Sequence, residues 1–184
     1  MLFLKKFEEK TIGTEHIFKG KVISLQVDEV VLPNGNHSKR EIVKHPGAVA
    51  IIPITDHGTM ILVEQYRKAL ERSIIEIPAG KLEQGEKPEM TALRELEEET
   101  GLGCKELTHI TSFSTSPGFA DEIIHIYSAT GLYKIEESAP ADDDEFVEMI
   151  DISVEEAEEM MADGRIYDAK TAFAVLWMKQ YLKK

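Results

Sequence analysis

The sequence predicts an α+β protein in which mixed strands surround one central helix and two further helices close the C-terminal end. Three observations carry this: a β-like first half broken by turn signals, a helical stretch set between a proline and a glycine, and two capped helical stretches near the end of the chain.

Residues 21–32 are rich in β-branched and apolar side chains, and Pro33-Asn34-Gly35-Asn36 turns them into a second extended run at 38–43. His45-Pro46-Gly47 interrupts the pattern and marks an expected boundary between an N-terminal β segment, residues 1–44, and a main domain, residues 45–184. Residues 48–54 are continuously apolar, as in a buried strand. Asp56-His57-Gly58 then turns the chain, and 60–65 is expected to return as the hairpin partner. A short strand at 74–77 leads into Pro78-Ala79-Gly80.

The central helix is expected from Pro88 to Thr100, with proline in the first turn and Gly101 in the left-handed position just past the end. Residues 107–113 and 122–129 read as strands separated by the loop 114–121. Asp142-Asp143-Asp144-Glu145 precedes another β-like stretch. Ser153 and Glu156 form a capping box for a helix ending at Gly164, and Asp168 opens the last helix. There Phe173, Leu176, Trp177 and Leu182 read as core.

The chain has 184 residues, enough for one domain with a small appendage, and is 42% hydrophobic. No apolar run reaches the length of a membrane span, and the N-terminus lacks the pattern of a signal peptide. The one cysteine, Cys104, cannot close an intrachain disulfide and reads as a passive thiol, so a cytoplasmic location is expected. A net charge of −13, from 34 acidic and 21 basic residues, opposes binding of nucleic-acid polymers and anionic lipid. An anionic small molecule would need cations to bring it in, and the surplus carboxylates are candidate ligands for them.

Glu95, Glu98 and Glu99 are spaced i, i+3 and i+4 and share one face of the central helix. Met90, Leu93 and Leu96 lie roughly opposite and are expected to pack on the sheet, while Glu97 falls outside the cluster. Carboxylates on neighbouring turns repel, and the last turn of a helix already carries partial negative charge. A bound cation reverses both penalties, and donors that are all oxygen select hard Mg²⁺ or Mn²⁺ over zinc. By spacing alone a solvated glutamate-rich face is the commoner explanation.

The wider pattern is Gly80, five residues, Glu86, seven residues, then Arg94-Glu95-Leu96-Glu97-Glu98-Glu99-Thr100-Gly101-Leu102. At every defining position it resembles the Nudix box of the Nudix hydrolases. The resemblance implies an α/β/α sandwich with a mixed sheet, Mg²⁺ as cofactor with Mn²⁺ able to substitute, and hydrolysis of a small-molecule nucleoside diphosphate linked to another group. It implies that Glu95 and Glu99 are the principal metal ligands, that Glu98 ligates or orients water, and that the Ala79 carbonyl completes the site. Arg94 is then expected to orient the glutamates by ion pairing, with Glu86 as partner; Gly80 and Gly101 support the box at its two ends.

Within the family the chain resembles the ADP-ribose pyrophosphatases. Pro117, in Ser116-Pro117-Gly118-Phe119, stands fifteen positions beyond Leu102, close to where enzymes acting on ADP-sugars carry a proline. Phe18, Arg40 and Arg67 resemble positions that bind adenine, ribose or phosphate, and Pro117 and Gly118 join them as substrate-binding candidates. The N-terminal segment is similar to the family's small antiparallel β-sheet, which exchanges between subunits and implies a homodimer. Glu145 resembles the late-loop glutamate that serves as general base, with Glu148 and Asp144 as alternatives; a solvated acidic turn explains the same residues. Other nucleoside diphosphate derivatives are an alternative substrate class, and a nucleotide sensor without catalysis is another reading.

Overall fold

The computed structural model describes residues 5–136 and 146–183. Its strands are β1 (Lys10–Lys19), β2 (Ser24–Val31), β3 (His37–Lys44), β4 (Ala48–Pro53), β5 (Met60–Arg67), β6 (Arg72–Glu76), β7 (Ala79–Lys81), β8 (Leu102–Gly103), β9 (Glu106–Ser114), β10 (Ile123–Thr130), β11 (Tyr133–Lys134) and β12 (Val147–Ile152). The helices are α1 (Pro88–Thr100), α2 (Val154–Asp163) and α3 (Ala169–Tyr181). They fall into two compact units: residues 1–47 with 114–123, and residues 48–113 with 124–184.

The first unit is an antiparallel sheet in the order β1-β2-β3. Its β2–β3 turn closes between Leu32 and Asn36, with Gly35 at φ 86°, the left-handed conformation that the Asn-Gly pair signalled. The sequence reading missed β1. Its residues mix charged, polar and apolar types without alternation, and nearly all are exposed, so no buried face imposes a pattern. Asp28 is buried in β2 and accepts from the Thr14 hydroxyl at 2.8 Å and the Gln26 amide at 2.9 Å. Residues 114–123 are laced to β3: Val43 N donates to Phe119 O at 2.8 Å, and His45 N to Asp121 Oδ1 at 2.8 Å.

In the second unit one sheet runs β7-β4-β10-β9, with β4 and β10 parallel and β4 and β7 antiparallel; another runs β12-β5-β6. The apolar run of β4 is buried on both faces. Val49 and Ile51 pack with Ala92, Leu96 and Tyr127 beneath α1, while Ala48, Ala50 and Ile52 face the larger core with Val154, Ala157, Val175 and Met178 of α2 and α3. Helices cover both faces of a mixed sheet, the α/β/α layering the sequence predicted.

Three expectations need correction. β5 is not the hairpin partner of β4: only an isolated bridge between Ile54 and Met60 joins them, after which β5 pairs with β6 and β12 in the other sheet. On α3 the buried residues are Thr171, Ala174, Val175 and Met178, whereas Leu176 and Leu182 are about half exposed and Phe173 and Trp177 partly buried. Thr171, Ala174, Val175 and Met178, at i, i+3, i+4 and i+7, form the stripe turned to the core, with Phe173 and Trp177 packed against its edge and Leu176 and Leu182 outside it. On α1, Leu96 is buried but Met90 and Leu93 are exposed. The face turned to the sheet holds Thr91, Ala92, Glu95, Leu96 and Glu99, so two glutamates point inward.

Candidate functional site

The site is built where β6 leads through Pro78 into β7 and α1 crosses above it. Pro88 stands in the first turn of α1, where its missing N–H costs nothing. Gly101 ends the helix at φ 68° and donates its N–H to Glu97 O at 2.7 Å. No basic residue occupies the last turn, so the negative end of the helix coincides with its glutamates.

Arg94 organises the carboxylates. Its guanidinium lies 2.7 Å from Glu95 Oε1, 2.7 Å from Glu98 Oε2 and 3.3 Å from Glu86 Oε2. Burial alone would lower the Arg94 pKa, but the bond to Glu86 and the charges of Glu95 and Glu98 outweigh it and hold the group charged. Burial would likewise raise the Glu86 pKa. The hydroxyl of Thr91, donating at 2.8 Å, together with Arg94 and a backbone bond at Glu83, holds that carboxyl below the usual range instead. Thr91 is fully buried and was not foreseen, because a lone threonine in a helix carries no sequence signal.

Glu99 is buried and accepts the Ala79 N–H at 3.0 Å. Glu95 lies directly over Gly80: a Cβ at that position would meet the Glu95 Cδ at 1.9 Å and its oxygens at 2.0 and 2.3 Å. Gly80 thus leaves a cradle that its missing side chain vacates for a carboxylate. Gathering Glu86, Glu95, Glu98, Glu99, Arg94, Ala79 and Gly80 sets several carboxylates against one guanidinium.

That arrangement fits a divalent cation in its chemistry, since every donor is a hard oxygen and the local charge is negative. Among the described residues no three acidic, imidazole or thiol groups form a ready ligand sphere. Arg94 draws Glu95 and Glu98 toward itself, and cation binding would turn them to the metal in exchange.

The other candidates divide by unit. Arg40, on β3, lines a cleft of about 490 Å³ together with Glu15, Val27, Lys39, Glu41, Gly118 and Phe119. There it holds Glu9 through two bonds of 2.7 and 2.6 Å. Pro117 and Phe18 are exposed and do not line the cleft; the Phe18 ring instead covers Gly20, where a Cβ would meet it at 2.7 Å. Arg67 belongs to the second unit and bonds Glu76 Oε2 at 2.6 Å. Glu145 and Asp144 lie outside the described residues, and Glu148 sits in β12 opposite Glu64. The sequence reading also missed Glu15, Lys39 and Glu41 of the cleft, because ordinary surface charges carry no signal until strands are paired. Among the described residues no helix is long and apolar enough to cross a membrane.

Residues 44–173 match the NUDIX domain, and residues 9–43 match the nucleoside diphosphate sugar hydrolase N-terminal domain. The chain is 61% identical to the methanol dehydrogenase activator of Bacillus methanolicus, across 95% of each chain. It is 58% identical to the ADP-ribose pyrophosphatase of Bacillus subtilis (strain 168), over 96% of this chain and 95% of that one. A crystal structure of an ADP compounds hydrolase superposes with a TM-score of 0.83, covering 95% of this chain and 94% of that one; at 23% identity it bears on the fold alone.

The Gly80 cradle makes a sharp prediction. Gly80 does not have positive φ, so Gly80→Ala leaves the backbone unstrained while its methyl expels the Glu95 carboxylate. The variant should fold with the wild-type circular dichroism spectrum yet bind Mn²⁺ roughly 10- to 100-fold more weakly. Unchanged Mn²⁺ affinity would show that Glu95 has no part in holding a cation.

Proposed function

The chain belongs to the NUDIX family, and on that premise we propose that it is a divalent-metal-dependent pyrophosphatase that hydrolyses ADP-ribose to AMP and ribose 5-phosphate. The observation that carries the chemistry is the Glu95 carboxylate seated over Gly80, beside Glu99 on the Ala79 amide. The substrate rests on 58% identity, nearly end to end, with an ADP-ribose pyrophosphatase. The Bacillus methanolicus relative is named for an effect on another enzyme, which assigns no competing substrate.

Glu95, Glu98, Glu99 and the Ala79 carbonyl hold the metal in this reading, with Mg²⁺ as the ion used and Mn²⁺ as substitute. A divalent cation held by these groups would supply charge neutralisation at the pyrophosphate and a more acidic water. Arg94 and Glu86 keep the box glutamates aligned, and Gly80 and Gly101 give them room and end the helix. Glu145 takes the proton from the water as it attacks one phosphorus in line, and the bridging P–O bond to that phosphorus breaks, so that AMP and ribose 5-phosphate separate with the bridging oxygen on the product not attacked. Glu98 serves as ligand and helps to orient that water.

The cleft beside Arg40 is a candidate nucleotide site: Lys39 supplies a cation, Gly118 leaves open space and the Phe119 ring is exposed for stacking on a base, while Arg40 is engaged by Glu9 and the carboxylates of Glu15 and Glu41 line the same cleft. Arg67, Phe18 and Pro117 remain substrate-binding candidates by their resemblance.

The N-terminal sheet, residues 1–44, serves as a dimerisation module in this reading, and residues 45–184 as the hydrolase domain. Its edge strand β1 presents Ile12, Ile17 and Phe18, each about half exposed, together with a backbone row that pairs with no other strand among the described residues. The exposed row supports a homodimer, and the single cysteine supports residence in the cytoplasm.

Hydrolysis of ADP-ribose with Mg²⁺ in oxygen-18 water should yield AMP and ribose 5-phosphate, with the label on one product locating the attacked phosphorus. Faster turnover of a dinucleotide or another nucleotide sugar in the same panel would reassign the substrate, and tight ADP-ribose binding without turnover would make the protein a sensor. Glu145→Gln should lower kcat by about 10²- to 10⁴-fold while leaving Mn²⁺ affinity near wild type; near-normal turnover would reject it as the base. Light scattering should return the mass of two chains, and a monomer would dismiss the dimer.

A further inference from the structure

The segment from Ile75 to Ala79 delivers Ala79 to the glutamates, and its backbone groups are tied off one after another. Ile75 N donates to Arg165 O at 2.9 Å, Ile77 N to the Thr171 hydroxyl at 3.0 Å, and Ala79 N to Glu99 at 3.0 Å, while Pro78 O accepts from Ile51 N at 2.8 Å. β6 is an edge strand of its sheet, and two of these partners, Arg165 and Thr171, come from the region around the start of α3.

The same end of α3 carries a charge network of which the proposed mechanism uses only Arg67, as a substrate-binding candidate. Glu76, the last residue of β6, is buried, with 4% of its side chain exposed. It pairs with Lys170 and accepts from Arg67 Nε at 2.6 Å. Lys170, itself mostly buried, is 2.9 Å from Asp168, whose Oδ1 also caps α3 by accepting Thr171 N at 3.0 Å. One Asp168 oxygen, Oδ2, is buried with no hydrogen-bond partner among the described residues. A buried ion pair is weak as a source of stability, because desolvation offsets its attraction, but it holds its partners in one geometry. Here the partners are 94 residues apart in sequence.

We infer that Lys170 is a positioning residue for the metal site: through Glu76 and the neighbouring Thr171–Ile77 bond, it sets where the Ala79 carbonyl and the Ala79–Glu99 contact stand. This rests on the reading of Ala79 and Glu99 as metal-holding groups. Lys170 touches neither metal nor substrate. Its loss lets the edge segment shift, so Ala79 and Glu99 no longer meet the ion together. Metal affinity should therefore fall.

The test measures Mn²⁺ binding to the full chain without substrate, by electron paramagnetic resonance of the free ion, with circular dichroism as the check of folding. Lys170→Met should raise the Mn²⁺ Kd by roughly 10-fold or more. Lys170→Arg, which keeps the charge, should recover most of the affinity. Lys179→Met, which breaks the exposed Lys179–Glu158 pair on the same helix, should bind Mn²⁺ as wild type does. A folded Lys170→Met variant with wild-type Mn²⁺ affinity overturns the role, and so does an equal loss in Lys179→Met. If Lys170→Met does not fold, Thr171→Val asks the same question with its shape kept: weakened Mn²⁺ binding supports the role and unchanged binding overturns it. Wild-type protein that takes up no Mn²⁺ at all would instead sink the parent reading of the site, and this inference with it.

Discussion

Carboxylates crowded on one helix face repel each other, and the Arg94 guanidinium is what allows α1 to carry Glu95 and Glu98 together. It reaches both at 2.7 Å and extends to Glu86 beyond the start of the helix. Without that cation the acidic face would turn to solvent, and the helix would have to present a different side to the sheet. With it, Glu95 and Glu99 can be buried among Thr91, Ala92 and Leu96, facing the backbone at Ala79 and Gly80. One charged group thereby couples the orientation of the helix to the burial of its acids.

The layers around α1 supply the rigidity this needs. β4 is buried on both faces, so α1 rests on Val49 and Ile51 while α2 and α3 grip the opposite side. Such a strand cannot slip by one residue without exchanging its two sets of contacts. Its neighbour β7 presents Ala79 opposite Ala50 and Gly80 opposite Val49, which places the cradle beside a strand buried along its whole length. Precision at the glutamates is inherited from that packing.

Much of this was legible along the chain because it is written locally. The proline-to-glycine span of α1, the Ser153–Glu156 capping box, the Asp168 cap and the Asn-Gly turn all appear where their residues required, since each rests on bonds within a few positions. The reading failed where only distant packing decides. Met90 and Leu93 look like the packing face of α1 by apolarity, yet Gly80 and the Ala79 amide, which belong to another element, draw the glutamates inward instead. β5 looks like the return strand of a hairpin, yet it crosses to a second sheet, a choice made by β6 and β12. The exposed β1 offered no pattern to read at all.

By itself the sequence determined the chemistry available: oxygen donors at helical spacing and an arginine one position before them. Those follow from residue identity and from the 3.6-residue turn, which need no knowledge of the rest of the chain. Only the tertiary structure decided which glutamates are buried, that Thr91 and Glu86 brace Arg94, and that Lys170 and Thr171 reach the segment ahead of Gly80 from nearly a hundred residues away. The physical reason is that burial and long-range ion pairing are properties of a packed interior. No local stretch of the chain holds the partners that create them.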